Sequence, residues 1–200
     1  MEALFISTGV VALAEIGDKT QLLAFILAAR FKKPIPIVAG ILIATLVNHG
    51  LAGAFGAWIT LVVSPEIMRW VLGSSFIGMA IWTLIPDKIE EEETQVAKHL
   101  GVFGATLVTF FLAEMGDKTQ IATVALAAHY AAPLFVIAGT TLGMLIADVP
   151  AVFVGNKFAA KIPMRLVHSI AAAIFAVMGL LTLFQVDKFV SVVKQVNMLG

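Results

Sequence analysis

Cysteine is absent from the 200 residues, which excludes disulfide staples, thiolate metal sites and thiol catalysis together. A metal held by this chain must be bound by oxygen, by imidazole or weakly by methionine sulfur. Charge is also scarce: 13% of residues carry it, and 13 basic side chains cancel 13 acidic ones. A general electrostatic affinity for nucleic acid therefore has no support. What fills the chain instead is apolar, 60% hydrophobic with a mean hydropathy of +1.00, far beyond a globular domain. That is the composition of an integral membrane protein. The first apolar stretch starts at Ala3 and contains an acidic motif; it outruns the core of a cleavable signal, so it is expected to remain as a span.

The acidic motif occurs twice. Glu15-Ile16-Gly17-Asp18-Lys19-Thr20-Gln21 recurs, with one change, as Glu114-Met115-Gly116-Asp117-Lys118-Thr119-Gln120. A carboxylate in hydrocarbon costs roughly 2.5–3.5 kcal/mol on insertion scales, so an intramembrane acid calls for a use. The same offset of 99 also aligns Pro34 with Pro133, Ala39-Gly40 with Ala138-Gly139, Leu46 with Leu145, and Gly56 with Gly155. It further aligns Phe76 with Phe175, Met79 with Met178, and Thr83-Leu84 with Thr182-Leu183.

Allowing about 20 apolar residues per crossing, spans are predicted at 4–29, 36–63, 69–86, 101–128, 134–155 and 166–186. The fold class is thus an all-α integral membrane protein of six transmembrane helices. The second span is longer than one bilayer thickness and is expected to tilt, or to break near Asn48-His49-Gly50. Three helices per repeat is an odd number, so the second copy must enter the membrane from the opposite side, making two inverted three-helix repeats. The organisation is a first repeat over 1–88, an acidic linker over 89–100 that carries Glu90 to Glu93, and the inverted repeat over 101–200. Transporters of this design bind substrate near the midplane, between the repeats. The first, third and fifth connections hold Arg30, Lys32, Lys33, Lys88, Lys98, Lys157, Lys161 and Arg165, against Arg69, Lys188 and Lys194 on the other side. The positive-inside rule then places both termini outside the cytoplasm, in a multi-pass protein of the cell inner (plasma) membrane. Trp58, Trp70 and Trp82 fall near span ends and suit interfacial anchoring.

On a continuous helix Glu15 and Asp18 share a face, as do Glu114 and Asp117. Two such faces opposed across the membrane-plane axis give four carboxylates, which repel one another unless protons or a divalent cation neutralise them. Binding the cation then releases protons, which is proton coupling in its simplest form. Gln21 and Gln120 can add amide oxygens, and Thr20 and Thr119 hydroxyls, to a hard-oxygen site suited to calcium, manganese or magnesium. Lys19 and Lys118 follow their glutamates by four positions and can pair with them along the helix, either simply to permit insertion or to occupy the site when the cation leaves. Gly17 and Gly116 fit either close helix packing, the plainer explanation, or a local unwinding that presents carbonyls to an ion. Under the offset of 99, Asn48 meets Ala147 and His49 meets Asp148. His49 reads as a packing residue or a ligand. Asp148, a fifth intramembrane acid before Val149-Pro150, reads as a proton carrier or auxiliary ligand.

These two motifs resemble the doubled E-x-G-D-[KR]-[TS] signature of a cation/proton exchanger family that includes Golgi manganese/calcium transporters, a chloroplast manganese transporter and bacterial manganese exporters. The resemblance covers the full chain, with no departure in either motif. It implies that Glu15, Asp18, Glu114 and Asp117 bind the cation, that manganese, or else calcium, is the transported ion, and that no resident cofactor is needed. It also implies a secondary active transporter working with protons in a lipid bilayer. A homo-oligomer is left open. Two other classes compete. A divalent-cation channel could share the carboxylates, but the intramembrane lysines and two-repeat design favour alternating access. A membrane-embedded lipid pyrophosphatase would need a phosphate clamp, and no Arg lies in a predicted span beyond Arg69 at the edge of the third; an enzyme is not expected.

Overall fold

The computed structural model describes residues 1–85, 100–154 and 164–184. All the regular structure among them is helical: α1 (Glu2–Glu15), α2 (Lys19–Phe31), α3 (Pro34–Val62), α4 (Pro65–Thr83), α5 (Gly101–Glu114), α6 (Lys118–Tyr130), α7 (Pro133–Val154) and α8 (Met164–Phe184). The linker acids Glu90 to Glu93, the span ends beyond residue 85, Gly155, Lys88, Lys98, Lys157, Lys161, Lys188 and Lys194 lie outside the described residues.

Local sequence explains where these helices begin and end. Proline opens α3, α4 and α7, at the first turn, where its missing N–H has no helical partner to lose. Lys32 and Ala131, matched under the offset of 99, both close their helices in the left-handed region, at φ 53° and 49°. Each thereby permits a tight reversal into the next long helix.

Two expectations about continuity are corrected. The first and fourth predicted spans are each two shorter helices, interrupted at 16–18 and 115–117. In contrast α3 runs unbroken for 29 residues through Asn48-His49-Gly50, because all three are accommodated within the helical ladder. In addition, α4 starts at Pro65, so Arg69 belongs to a helix and not to a connection.

The helices pack by exchange. α1 packs chiefly on α7 and α5 on α3, so each helix leading into an acidic motif leans on the long helix of the other half. Matched glycines allow the approach: a Cβ on Gly40 would lie 2.7 Å from Cβ of Thr106, and one on Gly139 would lie 2.5 Å from the Leu4 carbonyl oxygen. α4 and α8 lie against each other, with the rings of Phe76 and Phe175 stacked at 6.4 Å. Outside, large apolar side chains such as Ile35, Leu61 and Leu134 are at least 78% exposed, a surface suited to lipid and not to water. α3, α7 and α8 are each long and apolar enough to cross a membrane.

Gly139→Val is expected to lower the melting temperature of detergent-purified protein, at a cost of about 1–3 kcal/mol from overpacking. Gly78→Ala, where an added Cβ meets nothing within 4 Å, should leave it unchanged or raise it slightly.

Candidate cation site

Each interruption is built by its own motif. α1 ends at Glu15, Ile16 turns extended at φ −63° and ψ 114°, and Gly17 takes φ 88°, a left-handed conformation that side chains resist. Asp18 then caps α2, its Oδ1 accepting from the Lys19 amide at 2.8 Å. Gln21 reaches back so that its Oε1 accepts from the Gly17 amide at 3.0 Å. The second motif repeats this: Met115 is extended at φ −65° and ψ 120°, Gly116 has φ 74°, and Asp117 caps α6. There Gln120 Oε1 accepts from the Gly116 amide at 2.8 Å. Asp and Gln at N-cap and third position form a variant of the capping box. That spacing, Asp-Lys-Thr-Gln, is the signal from which the breaks were legible.

Gly116 therefore does not serve close packing, since an added Cβ there would meet nothing within 4 Å; at both glycines the positive φ is what the residue supplies. Nor do Glu15 and Asp18 share a helical face, since one ends a helix and the other begins the next. The acids nevertheless converge. Glu15, Glu114 and Asp117 each place one carboxylate oxygen within 4.8 Å of the others, and all three are buried. The C-terminal ends of α1 and α5 bear partial negative charge towards this point, which favours a cation. Thr20 Oγ1 donates to Glu15 Oε2 at 2.5 Å, and Thr119 Oγ1 lies 3.2 Å from Glu114 Oε2 and 3.3 Å from Asp117 Oδ2.

The lysines are placed differently from the along-helix pairing expected of them. Lys118 Nζ lies 3.4 Å from Asp18 Oδ2, and Lys19 Nζ lies 3.8 Å from Asp117 Oδ1. Each lysine thus pairs with the aspartate of the other half, because the break turns it away from its own glutamate. The two pairs are unequal: Lys118 is fully buried, whereas the Lys19 side chain is 16% exposed. Asp18, tied to Lys118, stands outside the three-oxygen cluster.

The long helices close the site. Asn48 Nδ2 donates to the Phe111 carbonyl at 3.0 Å, and Gln120 Nε2 lies 3.5 Å from Asn48 Oδ1. In the other half Gln21 Nε2 donates to the Ala147 carbonyl at 2.9 Å. A backbone oxygen thus substitutes where the repeat lacks the second asparagine. The amide oxygens of Gln21 and Gln120 face backbone N–H groups, so these side chains shape the breaks in this state. His49 Nε2 lies 3.9 Å from Glu114 Oε2. Asp148 is fully buried on α7, with neither oxygen hydrogen-bonded among the described residues. One contact escapes the sequence altogether: His168 on α8 touches the Ile16 carbonyl at 2.8 Å. No motif marks it.

An apolar helical protein whose buried hard-oxygen donors converge from two related halves has the make-up of an ion transporter. The chain belongs to the divalent cation/proton antiporter GDT1 family, whose model matches residues 3–91 and 102–188, and the family is one of transporters, not enzymes. It is 52% identical over 185 residues to a Vibrio cholerae protein named "Putative manganese exporter", covering 92% of each chain. It is 31% identical over 200 residues to GDT1-like protein 3 of Oryza sativa subsp. indica, covering 87% of this chain and 71% of that one. GDT1-like protein 5 of Arabidopsis thaliana is 26% identical over 208 residues, covering 86% and 90%. No solved structure matches the chain significantly.

Lys118→Met, which strands the Asp18 carboxylate in the interior, is expected to destabilise the purified protein by about 3–5 kcal/mol. Adding Asp18→Asn should restore most of that loss. A double-mutant cycle of unfolding in detergent measures the coupling.

Proposed function

We propose that this protein exports Mn²⁺ from the cytoplasm in exchange for protons, by alternating access at a site formed by Glu15, Asp18, Glu114 and Asp117. The observation that carries this is the approach of Glu15, Glu114 and Asp117 oxygens from both halves to within 4.8 Å of one another. Three like charges at that separation in a dry interior require a counter-charge. A divalent cation supplies it in one state and protons in the other. Hard carboxylate oxygens suit Mn²⁺ and also Ca²⁺; the name of the 52% identical relative favours manganese.

The topology that goes with this is six membrane crossings, α1 with α2 and α5 with α6 each forming one interrupted crossing. The halves 1–88 and 101–200, joined by the linker 89–100, are then inverted repeats with both termini outside the cytoplasm, in the inner membrane. The exchanged packing of α1 on α7 and α5 on α3 supports that assignment. In the cycle, an arriving cation draws Asp18 away from Lys118, and the lysine neutralises the aspartate again when the cation leaves. Thr20 and Thr119 orient the glutamates. Asp148 and His49, at matched positions on the long helices, are the groups through which protons reach the acids.

Calorimetry on purified protein should show Mn²⁺ binding that weakens as pH falls, because protons compete for the same oxygens. Binding should be lost in Asp117→Asn and in Asp18→Asn; unchanged binding in both would move the site elsewhere. In vesicles, Mn²⁺ movement should follow an imposed pH gradient and collapse when a protonophore dissipates it. Movement indifferent to that gradient would favour a channel.

A further inference from the structure

The two interrupted helices are held differently, and the difference lies on residues outside the motifs. Where α1 ends, the Ile16 carbonyl leaves the helical ladder, and His168 Nε2 sits 2.8 Å from it. A carbonyl oxygen only accepts, so Nε2 carries the hydrogen. The contact is partly buried, and a carbonyl released from the ladder within a membrane-spanning helix gains from any donor that satisfies it. His168 is the fifth residue of α8, and the offset of 99 matches it to Arg69, the fifth residue of α4, just as it matches Ile16 to Met115.

The matched contact is not made. Among the described residues no side chain donates to the Met115 carbonyl. The Arg69 guanidinium lies over the ring of Trp70, 5.2 Å from its centroid, and its buried Nε has no hydrogen-bond partner among the described residues. One half therefore has donor and acceptor joined, while the other has both, held apart, at corresponding positions. Arg69 is well suited to close that gap, with five N–H donors on a long stem.

We propose that His168 and Arg69 are alternating latches: His168 on the Ile16 carbonyl holds the state of this structure, and Arg69 on the Met115 carbonyl holds the opposite one. Both are positioning residues, and the proposal rests on the alternating-access reading above. Two halves of one design exchange conformations when the transporter reverses, so a contact made in one half is replaced by its counterpart in the other. The latch acts on the interruption and not on the acids, so it sets which state is populated without touching the cation.

The cysteine-free chain allows spin labels to be placed without background. One labelled pair, Leu13→Cys with Ile170→Cys, reports the α1–α8 separation. Its counterpart, Leu112→Cys with Val71→Cys, reports α5–α4. Adding His168→Leu should lengthen the first separation and shorten the second, shifting the balance of states roughly three- to tenfold, the weight of one hydrogen bond. Arg69→Leu placed on top should reverse that shift, and His168→Gln, which keeps an N–H donor, should resemble the parent. A merely structural contact would lower thermal stability without moving the two distances in opposite senses, and that outcome, or no change in either distance, overturns the proposal. Because the distances are read without metal or a pH gradient, a failure of the antiport reading would appear in the vesicle fluxes instead, with the distance result standing separately.

Discussion

Four carboxylates in an apolar interior must be neutralised by something within a few ångströms, and the way this chain does so ties its halves together. Lys118 turns to Asp18 and Lys19 to Asp117, so the lysine of each motif reaches the aspartate of the other. Losing the partner half would break the buried Asp18–Lys118 pair, a larger penalty than loss of a typical apolar contact. The same reciprocity explains the exchanged packing of α1 on α7 and α5 on α3, since only that arrangement brings the two interruptions face to face.

The interruptions convert a fold problem into a binding geometry. A continuous helix would send Glu and Asp side chains outward along one face, with backbone groups locked in the ladder. Ending one helix at the glutamate and starting the next at the aspartate places a helix C-terminus and a helix N-terminus side by side. The first attracts a cation and the second steadies the capping aspartate. Asp18 and Asp117 thus serve as both structural caps and charge carriers. The site is also unequal in this state, with Asp117 inside the oxygen cluster and Asp18 held by Lys118. Under the proposed alternating access, a symmetric pair of motifs in an asymmetric arrangement is what one of two exchanging states would show.

Much of this was legible in the residues themselves. The duplicated heptapeptide and the offset of 99 identified two related halves, and the cost of buried acids pointed to their convergence. The interruptions enter the sequence reading only as the lesser alternative at Gly17 and Gly116, because hydropathy averages over a window as wide as a span and is blind to a three-residue change of backbone. The capping pattern from Asp18 to Gln21 carried that information at a finer scale. The lysine pairing followed from the breaks and could not be read without them. Asn48-His49-Gly50 looked like a weak point, yet α3 stays continuous there, because Asn48 spends its side chain on the Phe111 carbonyl rather than on its own helix. His168 was invisible for a different reason: its partner is a main-chain carbonyl 152 residues away, and no local pattern encodes that.

The central claim is that acids from both halves surround one ion. It is tested most directly by anomalous scattering at the manganese edge from crystals grown with Mn²⁺. A single strong peak between Glu15, Glu114 and Asp117, within reach of Asp18, is the result expected. Manganese density elsewhere in the protein, with those carboxylates bare at saturating metal, would contradict it.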